Sequence, residues 1–452
     1  MPRTQQLGRA QGSGPFPNRV SDRMRSLQVQ RARASASRTS AVFGLAFLVF
    51  VFLSVSLVNW RVAGFPVRSL YGLGLLGLLV VACPQQSALA LRKHRNTLLL
   101  VAGFAVLGTL VSVIARTDVA VILRQLMEIH LQAMVNLTLA AIVVEVCGPK
   151  TLVGSFLAVV CLSMALALAQ GLGIEPAWIV REALGPLLDI GGYDRSRPAG
   201  LSMNPVLLGS QLCLAIAMLY MHRRYSRPVG DLRTEPDIMA LVAFGVAVAI
   251  VSGTRSPLLG IAVFIAVYLT RRLGTWAIVA GLLTAALLPL LSMLIQELQG
   301  TGARAFQTDD KSASGRWPLL AYGWRLFLAN PIGYGFGFDP REHWAEHWTA
   351  LSHFENAVVI AKLDLHNYIL NTLNRYGAGT LLLLPLVLTL LHRHRWVLLG
   401  FAPYAFHILF HNDGPLDADY MFWFVVALTS VRIEAAPEAT RPRASGLRDT
   451  RG

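Results

Sequence analysis

Apolar runs separated by short polar stretches recur along almost the whole chain. Those that reach or approach about twenty residues, enough helix to cross a bilayer at ~1.5 Å per residue, lie near 41–58, 67–83, 97–115, 129–147, 151–172, 200–221, 238–252, 257–270, 275–295, 368–391, 396–411 and 420–433. The pattern predicts an all-α polytopic membrane protein with about twelve transmembrane helices. No repeat of twenty to fifty residues interrupts it. The longest break, 296–365 between the ninth and tenth runs, is rich in aromatic residues: Trp317, Tyr322, Trp324, Phe327, Trp344, Trp348 and Phe354. Its apolar positions fall at helical spacing, which predicts amphipathic helices lying at a membrane interface, with 176–188 as a shorter example.

Composition agrees with a lipid environment. The chain has 452 residues, 54% of them hydrophobic and 14% charged, with a mean hydropathy of +0.52. A formal charge of +15 would suggest nucleic acid in a soluble protein. Here the basic residues cluster between apolar runs, and no aromatic interleaving accompanies them, so nucleic-acid binding is not expected. If the N-terminal tail is cytosolic, every second loop is basic: Arg92, Lys93 and Arg95; Lys150; Arg223, Arg224, Arg227 and Arg233; Arg271 and Arg272; Arg393 and Arg395. The C-terminal tail, 434–452, adds Arg441, Arg443, Arg448 and Arg451. The opposite loops are mixed or acidic, including 173–198, 253–255, 296–365 and 412–419. One orientation, with both termini cytosolic, satisfies them all.

The tail, 1–40, carries eight arginines against the single acid Asp22 and has few large apolar residues, so it reads as a disordered basic segment. The run 41–58 ends in Asn59-Trp60-Arg61 without a small-residue cleavage site and reads as an uncleaved first span of a transmembrane domain covering 41–433. Cys83, Cys147, Cys161 and Cys213 fall inside apolar runs with no metal-ligand spacing and read as core residues.

Once the orientation is set, the unusual polar residues gather on the outer side. Arg197, Arg255, Arg316, His366 with Asn367, and Asn412 with Asp413 all lie where an outer loop meets a span. Any one such arginine could be a headgroup anchor. As a group they suggest an anion site. Arg255 sits in a turn so short that its side chain stays between two spans, and a guanidinium there suits a diphosphate through bidentate charge-assisted hydrogen bonds. Arg197 precedes Pro198 and a run starting near Gly200, which predicts a helix N-terminus favourable to anions. His366 opens the span after the long outer segment. It could take a proton from an attacking hydroxyl, or merely cap the helix.

Three other patterns have plainer explanations. His343-Trp-Ala-Glu346-His347 has the H-x-x-E-H spacing of a zinc-protease class, with both histidines on one helical face, but in an interfacial aromatic helix the match reads as accidental. No metal is expected. Gly333, Gly335 and Gly337 imitate a phosphate loop without the preceding strand and read as a tight chain reversal. Glu128 and His130, with Arg124, read as an internally paired interfacial helix.

The run Gly315-Arg316-Trp317, then Trp324, then Asn330-Pro331-Ile332-Gly333-Tyr334-Gly335-Phe336-Gly337, followed by His366-Asn367-Tyr368-Ile369-Leu370 and Tyr376-Gly377, resembles the signature region of the O-antigen ligase and polymerase superfamily. Arg197-Pro-Ala-Gly-Leu with Asn204-Pro205, and Ser252-Gly-Thr-Arg255-Ser256, are similar to its upstream arginine motifs. The likeness covers roughly 195–380, and the first third agrees in hydropathy alone. The resemblance implies an inverting, metal-independent glycosyltransferase of the GT-C type, without cofactor. It would sit in a bacterial inner membrane with a periplasmic site, taking an undecaprenyl-diphosphate-linked glycan as donor. It implies that Arg197 and Arg255 hold the diphosphate and that His366 assists or positions the acceptor. Arg316 matches a loop arginine, and Asn367, Asn412 and Asp413 fall to substrate binding. Leu365 precedes His366 where the related protein O-oligosaccharyltransferases often carry a second histidine pair, which argues against a protein acceptor. A lipid A-core acceptor (ligase) and a lipid-linked glycan acceptor (polymerase) both fit. A transporter or flippase would need polar residues along a path at mid-membrane, and the span centres are apolar.

Overall fold

The computed structural model describes residues 40–188, 195, 197–226, 235–273, 315–393, 398–417 and 419–430. The basic tail, the ninth predicted span at 275–295, the stretch 296–314 of the aromatic-rich segment and the C-terminal tail lie outside the described residues. The chain divides into a unit ending at Phe43 and a unit Gly44–Gly452. Of the first, only the opening turn of helix α1, Ser40–Ser56, is described.

The described residues of the second unit are mostly helical, because in lipid every backbone amide must find its partner within its own segment. After α1 come α2 (Val67–Ala82), α3 (Pro84–Ile114), α4 (Val119–Cys147), α5 (Pro149–Gly171), α6 (Glu175–Leu188), α7 (Pro205–Ser226), α8 (Pro236–Val251) and α9 (Arg255–Leu273). The aromatic-rich segment 296–365 contributes α10 (Arg316–Ala329) and α11 (Trp344–Leu351). The last elements are α12 (Tyr368–Tyr376), α13 (Leu384–Arg393), α14 (Leu398–Ile408) and α15 (Phe422–Ala427). Proline marks several starts. Pro84, Pro149, Pro205 and Pro236 each occupy the first helical position, where the missing N–H costs nothing. Between α4 and α5 a Gly-Pro corner suffices: Gly148, at φ 86°, ends one helix and Pro149 begins the next.

Among the described residues, α3, α4, α5 and α7 are long and apolar enough to cross a membrane. A fifth span results if the bent pair formed by Tyr368–Tyr376 and Ala378–Leu390 counts as one. The other predicted crossings fall on the shorter apolar helices α1, α2, α8, α9 and α14, on α15, and on residues outside the described ones. α4 and α7 form the centre, with 78% and 83% of their apolar windows buried, whereas α3, at 28%, turns most of its surface outward. α14 packs against α7 and most closely against α9, where Gly260 leaves no room for a side chain beside the Pro403 backbone.

Four local expectations change. Arg92, Lys93 and Arg95 belong to the first turns of α3 rather than to a loop, and Lys93 pairs with Glu145 at 2.6 Å. Arg61–Val62 and Phe65–Pro66 pair as a two-stranded antiparallel hairpin across Ala63 and Gly64, both at positive φ, a small exception to the all-α reading. Glu128 pairs at 3.0 Å with Arg61, not Arg124. His130 sits in a π-helical turn of α4, Leu126–Leu131, with Nε2 3.1 Å from the Tyr376 hydroxyl. The extra residue of that turn aims the imidazole inward.

The described part of the segment 296–365 builds an apolar core from Leu319, Tyr322, Leu326, Leu351, Ile360 and Leu365 together with Leu370 of α12, while Trp317, Trp324, Trp344 and Trp348 stay on the surface. In Arg316–Ala329 the outward face is apolar too, with Trp317, Leu320, Trp324 and Leu328 exposed. The glycine run makes the predicted reversal, with Gly333 and Gly335 at φ 99° and 78°. It is stitched to the end of α12, where Tyr334 and Gly335 donate N–H groups to the Asn374 and Arg375 carbonyls at 2.8 and 3.0 Å.

Candidate functional site

The segment after Ile408 gathers the residues. Arg255 is the first residue of α9, behind the turn at Gly253 (φ 67°), and Ser256 follows it. Ser256 Oγ lies 3.0 Å from His407 Nδ1 and 2.8 Å from His411 Nε2, and the two imidazoles stand 4.5 Å apart. Arg316 is the first residue of α10, with its guanidinium 5.2 Å from the Phe410 ring. Asn367 caps α12, accepting the Leu370 N–H at 2.9 Å, and donates its amide to the Leu409 carbonyl at 3.0 Å. Residues 409, 410 and 411 therefore meet Asn367, Arg316 and Ser256 in turn. Asn412 and Asp413 continue the same bend.

The helix terminus expected at Arg197 is not there. α7 starts at Pro205, with Asn204 accepting the Leu207 N–H at 2.8 Å, and Arg197 lies in a non-helical stretch ahead of it. That stretch is held by its neighbours. Gln170 of α5 accepts from the Ala199 and Gly200 amides at 3.2 and 2.9 Å, and Ser163 accepts from Leu201 at 3.0 Å. Arg181 of α6 donates to the Gly200, Ser202 and Met203 carbonyls at 2.9, 2.7 and 3.0 Å. It is instead Arg255 and Arg316 that open helices. A cation at the positive end of the macrodipole opposes the helix by roughly 0.3–1 kcal/mol, and both features attract an anion.

Charge in the cluster is one-sided. Burial and then the Arg316 guanidinium push the His366 imidazole below the ordinary histidine value, against the opposing pull of Asp364, so the ring is neutral near pH 7. Its buried Nδ1 has no hydrogen-bond partner among the described residues. Burial first, then Asp419, Asp417 and Asp364, push Asp413 up to about 8. Asp419 is pushed up to about 6 by burial, although it accepts hydrogen bonds from the Tyr404 and Ser210 hydroxyls at 2.8 and 3.0 Å. Arg341, held by Asp339 at 2.7 Å, also approaches Asp364 at 3.7 Å. These exposed pairs contribute little to stability but tie the segment after α10 to the approach to His366.

A family model described as O-antigen ligase matches residues 240–384. The match supports the O-antigen ligase/polymerase superfamily. No curated protein matches the chain. The part matching the O-antigen ligase family contains Arg255, Arg316, His366 and Asn367. Arg197, the histidines of α14 and its following turn, and Asn412 and Asp413 lie outside it. The H-x-x-E-H pattern within it is divided by the helix start: His343 precedes α11 and packs on Tyr334, with ring centroids 4.7 Å apart, while His347 packs on Tyr322 at 5.7 Å.

Sequence reasoning missed Ser256, His407, His411 and the clamp on the Arg197 stretch. A signal existed for the histidines, an i, i+4 pair just before Asn412-Asp413. For Gln170, Ser163 and Arg181 there is no local signal, because their partners are backbone groups brought in by the fold.

Proposed function

We propose that the chain transfers a glycan from an undecaprenyl-diphosphate carrier to an acceptor hydroxyl at the periplasmic face of a bacterial inner membrane, in the manner of an O-antigen ligase with lipid A-core as acceptor. One observation carries the reading. The turn 409–411 adjoins Asn367, Arg316 and Ser256, the neighbour of Arg255, and Arg197 and His366 bear electrostatically on the same His411 ring. The acceptor oxygen attacks the anomeric carbon as the bond to the diphosphate breaks. The guanidiniums take the charge that develops on the leaving diphosphate. His366 Nδ1 takes the hydroxyl proton.

The test is a proteoliposome assay with labelled lipid-linked glycan and lipid A-core. Label on the core supports a ligase, longer lipid-linked glycan with bare core indicates a polymerase, and label crossing the membrane without a covalent product indicates a transporter. Because His366 is depressed, transfer should rise with pH through a value below 6.5 and be level by neutrality. His366→Ala should lower the rate by about 10²–10⁴-fold and remove that limb. Full activity across pH would rule out the base role.

A cavity of about 580 Å³, almost wholly apolar, is lined by Val101 and Phe104 of α3, Tyr368 of α12, Phe401 and Ala405 of α14, and Trp423 of α15. Tyr368 is two residues from His366, so the cavity suits the carrier chain. At about 0.8 kcal/mol per buried CH₂, Ala405→Trp should raise KM for a long-chain donor by about tenfold or more and spare a donor with a short carrier. An equal effect on both would remove the cavity from the donor path.

A further inference from the structure

We propose that His411 is an additional ligand-facing residue of this site, one that takes up a proton and donates a hydrogen bond to the carrier diphosphate when the donor binds. The proposal rests on the transferase reading and goes beyond it, since His411 lies outside both the family match and the arginine motifs.

Placement is the first argument. His411 stands at the end of a three-residue turn whose members meet Asn367, Arg316 and Ser256. Among the described residues the ring's hydrogen bond is made on one side, and its face packs on His407 with ring centroids 4.5 Å apart. Its Nε2 is committed to Ser256 at 2.8 Å, which leaves Nδ1 as the atom through which it can meet a ligand. Ser256 has a single proton and lies within hydrogen-bonding distance of two imidazoles, so it donates to one and accepts from the other. The orientation of His411 is thereby coupled to His407, which is buried between α14, α7 and α9.

Charge is the second argument. The groups facing His411 are His407 on its own element, Arg316 from α10, His366 ahead of α12 and Arg197 from the stretch before α7. Burial and then these groups, in that order, press the ring toward the neutral form. Arg255 adjoins its serine partner. The nearest acid in sequence, Asp413, is pushed up to about 8 and offers little counter-charge at neutral pH. A diphosphate entering among these cations reverses the local field. A proton from solvent then binds the imidazole, and the charged N–H meets a phosphate oxygen, a stronger bond than the neutral ring could give. Release of the diphosphate returns the proton.

The test is calorimetric titration of the full-length protein in detergent with farnesyl diphosphate at pH 7, in PIPES and in Tris. The difference in heats gives the protons exchanged. Wild type should take up about one proton. His411→Gln should take up almost none and bind about tenfold more weakly, and His411→Asn, which carries its amide nearer the Nδ1 position, should also lose the uptake. Binding by either variant in monodisperse form shows that the site is folded. His366→Gln should keep the uptake. Uptake retained by both His411 variants, uptake lost in His366→Gln, or wild-type binding without uptake would each overturn the proposal while leaving the transferase reading intact. No binding of the diphosphate by wild type would overturn both.

Discussion

Arg255→Ala is expected to lower transfer by about 10²–10³-fold, the usual cost of removing one preorganised group from a developing anion, without loss of folded protein. The second half follows from position. Arg255 is the first residue of α9, where a positive side chain opposes the macrodipole by roughly 0.3–1 kcal/mol. Its removal should leave the protein folded and inserted. A residue whose deletion costs activity and leaves the fold in place is there for a ligand. Arg255→Lys keeps the charge but loses the planar fork, so it should recover only part of the rate. The measurements are transfer in proteoliposomes and the unfolding midpoint of the same preparations. Normal turnover by Arg255→Ala would sink the diphosphate assignment, and a large loss of stability would reduce Arg255 to a structural residue.

Arg316 has the same place at the start of α10 and is the natural control. The two arginines were legible in the chain because each stands at a boundary between a polar turn and an apolar run, a local pattern. Arg197 was legible as a residue but not in its setting. The run near Gly200 is apolar enough to be helical, yet the backbone from Ala199 to Met203 is taken by Gln170, Ser163 and Arg181 and stays in turns, with Gly200 at φ 61° and the Ser202 N–H donating to the Ala199 carbonyl, until Pro205. A buried glutamine in an apolar helix has the same local pattern whether it faces another helix or a loop. The helices themselves were readable because lipid forces internal backbone pairing. The π-turn at Leu126–Leu131 was not, because it answers to Tyr376, 246 residues from His130.

Gly377→Ala is expected to cost the fold about 3 kcal/mol or more, the sum of a backbone state reserved for glycine and an overpacked contact. Gly377 ends α12 at φ 71°, ψ −173°, a region open to glycine and closed to side-chain-bearing residues. An added Cβ would also fall on the Ile332 carbonyl. That carbonyl belongs to the glycine reversal, whose Pro331 carbonyl accepts the Ala378 N–H at 2.7 Å. At this corner the chain bends by 105° between Tyr368–Tyr376 and Ala378–Leu390. Both partners of the contact are backbone, so neither can swing aside. The bend fixes where α12 begins, and α12 is the helix that Asn367 caps beside His366. The variant should therefore yield little monodisperse protein, and what remains should transfer poorly. Gly74→Ala, on the outward side of α2 with no atom within 4 Å of the new methyl group, should behave as wild type. If Gly377→Ala matched Gly74→Ala in yield and midpoint, the reversal would be looser than its hydrogen bonds imply, and the placement of His366 would rest on the Asn367 cap alone.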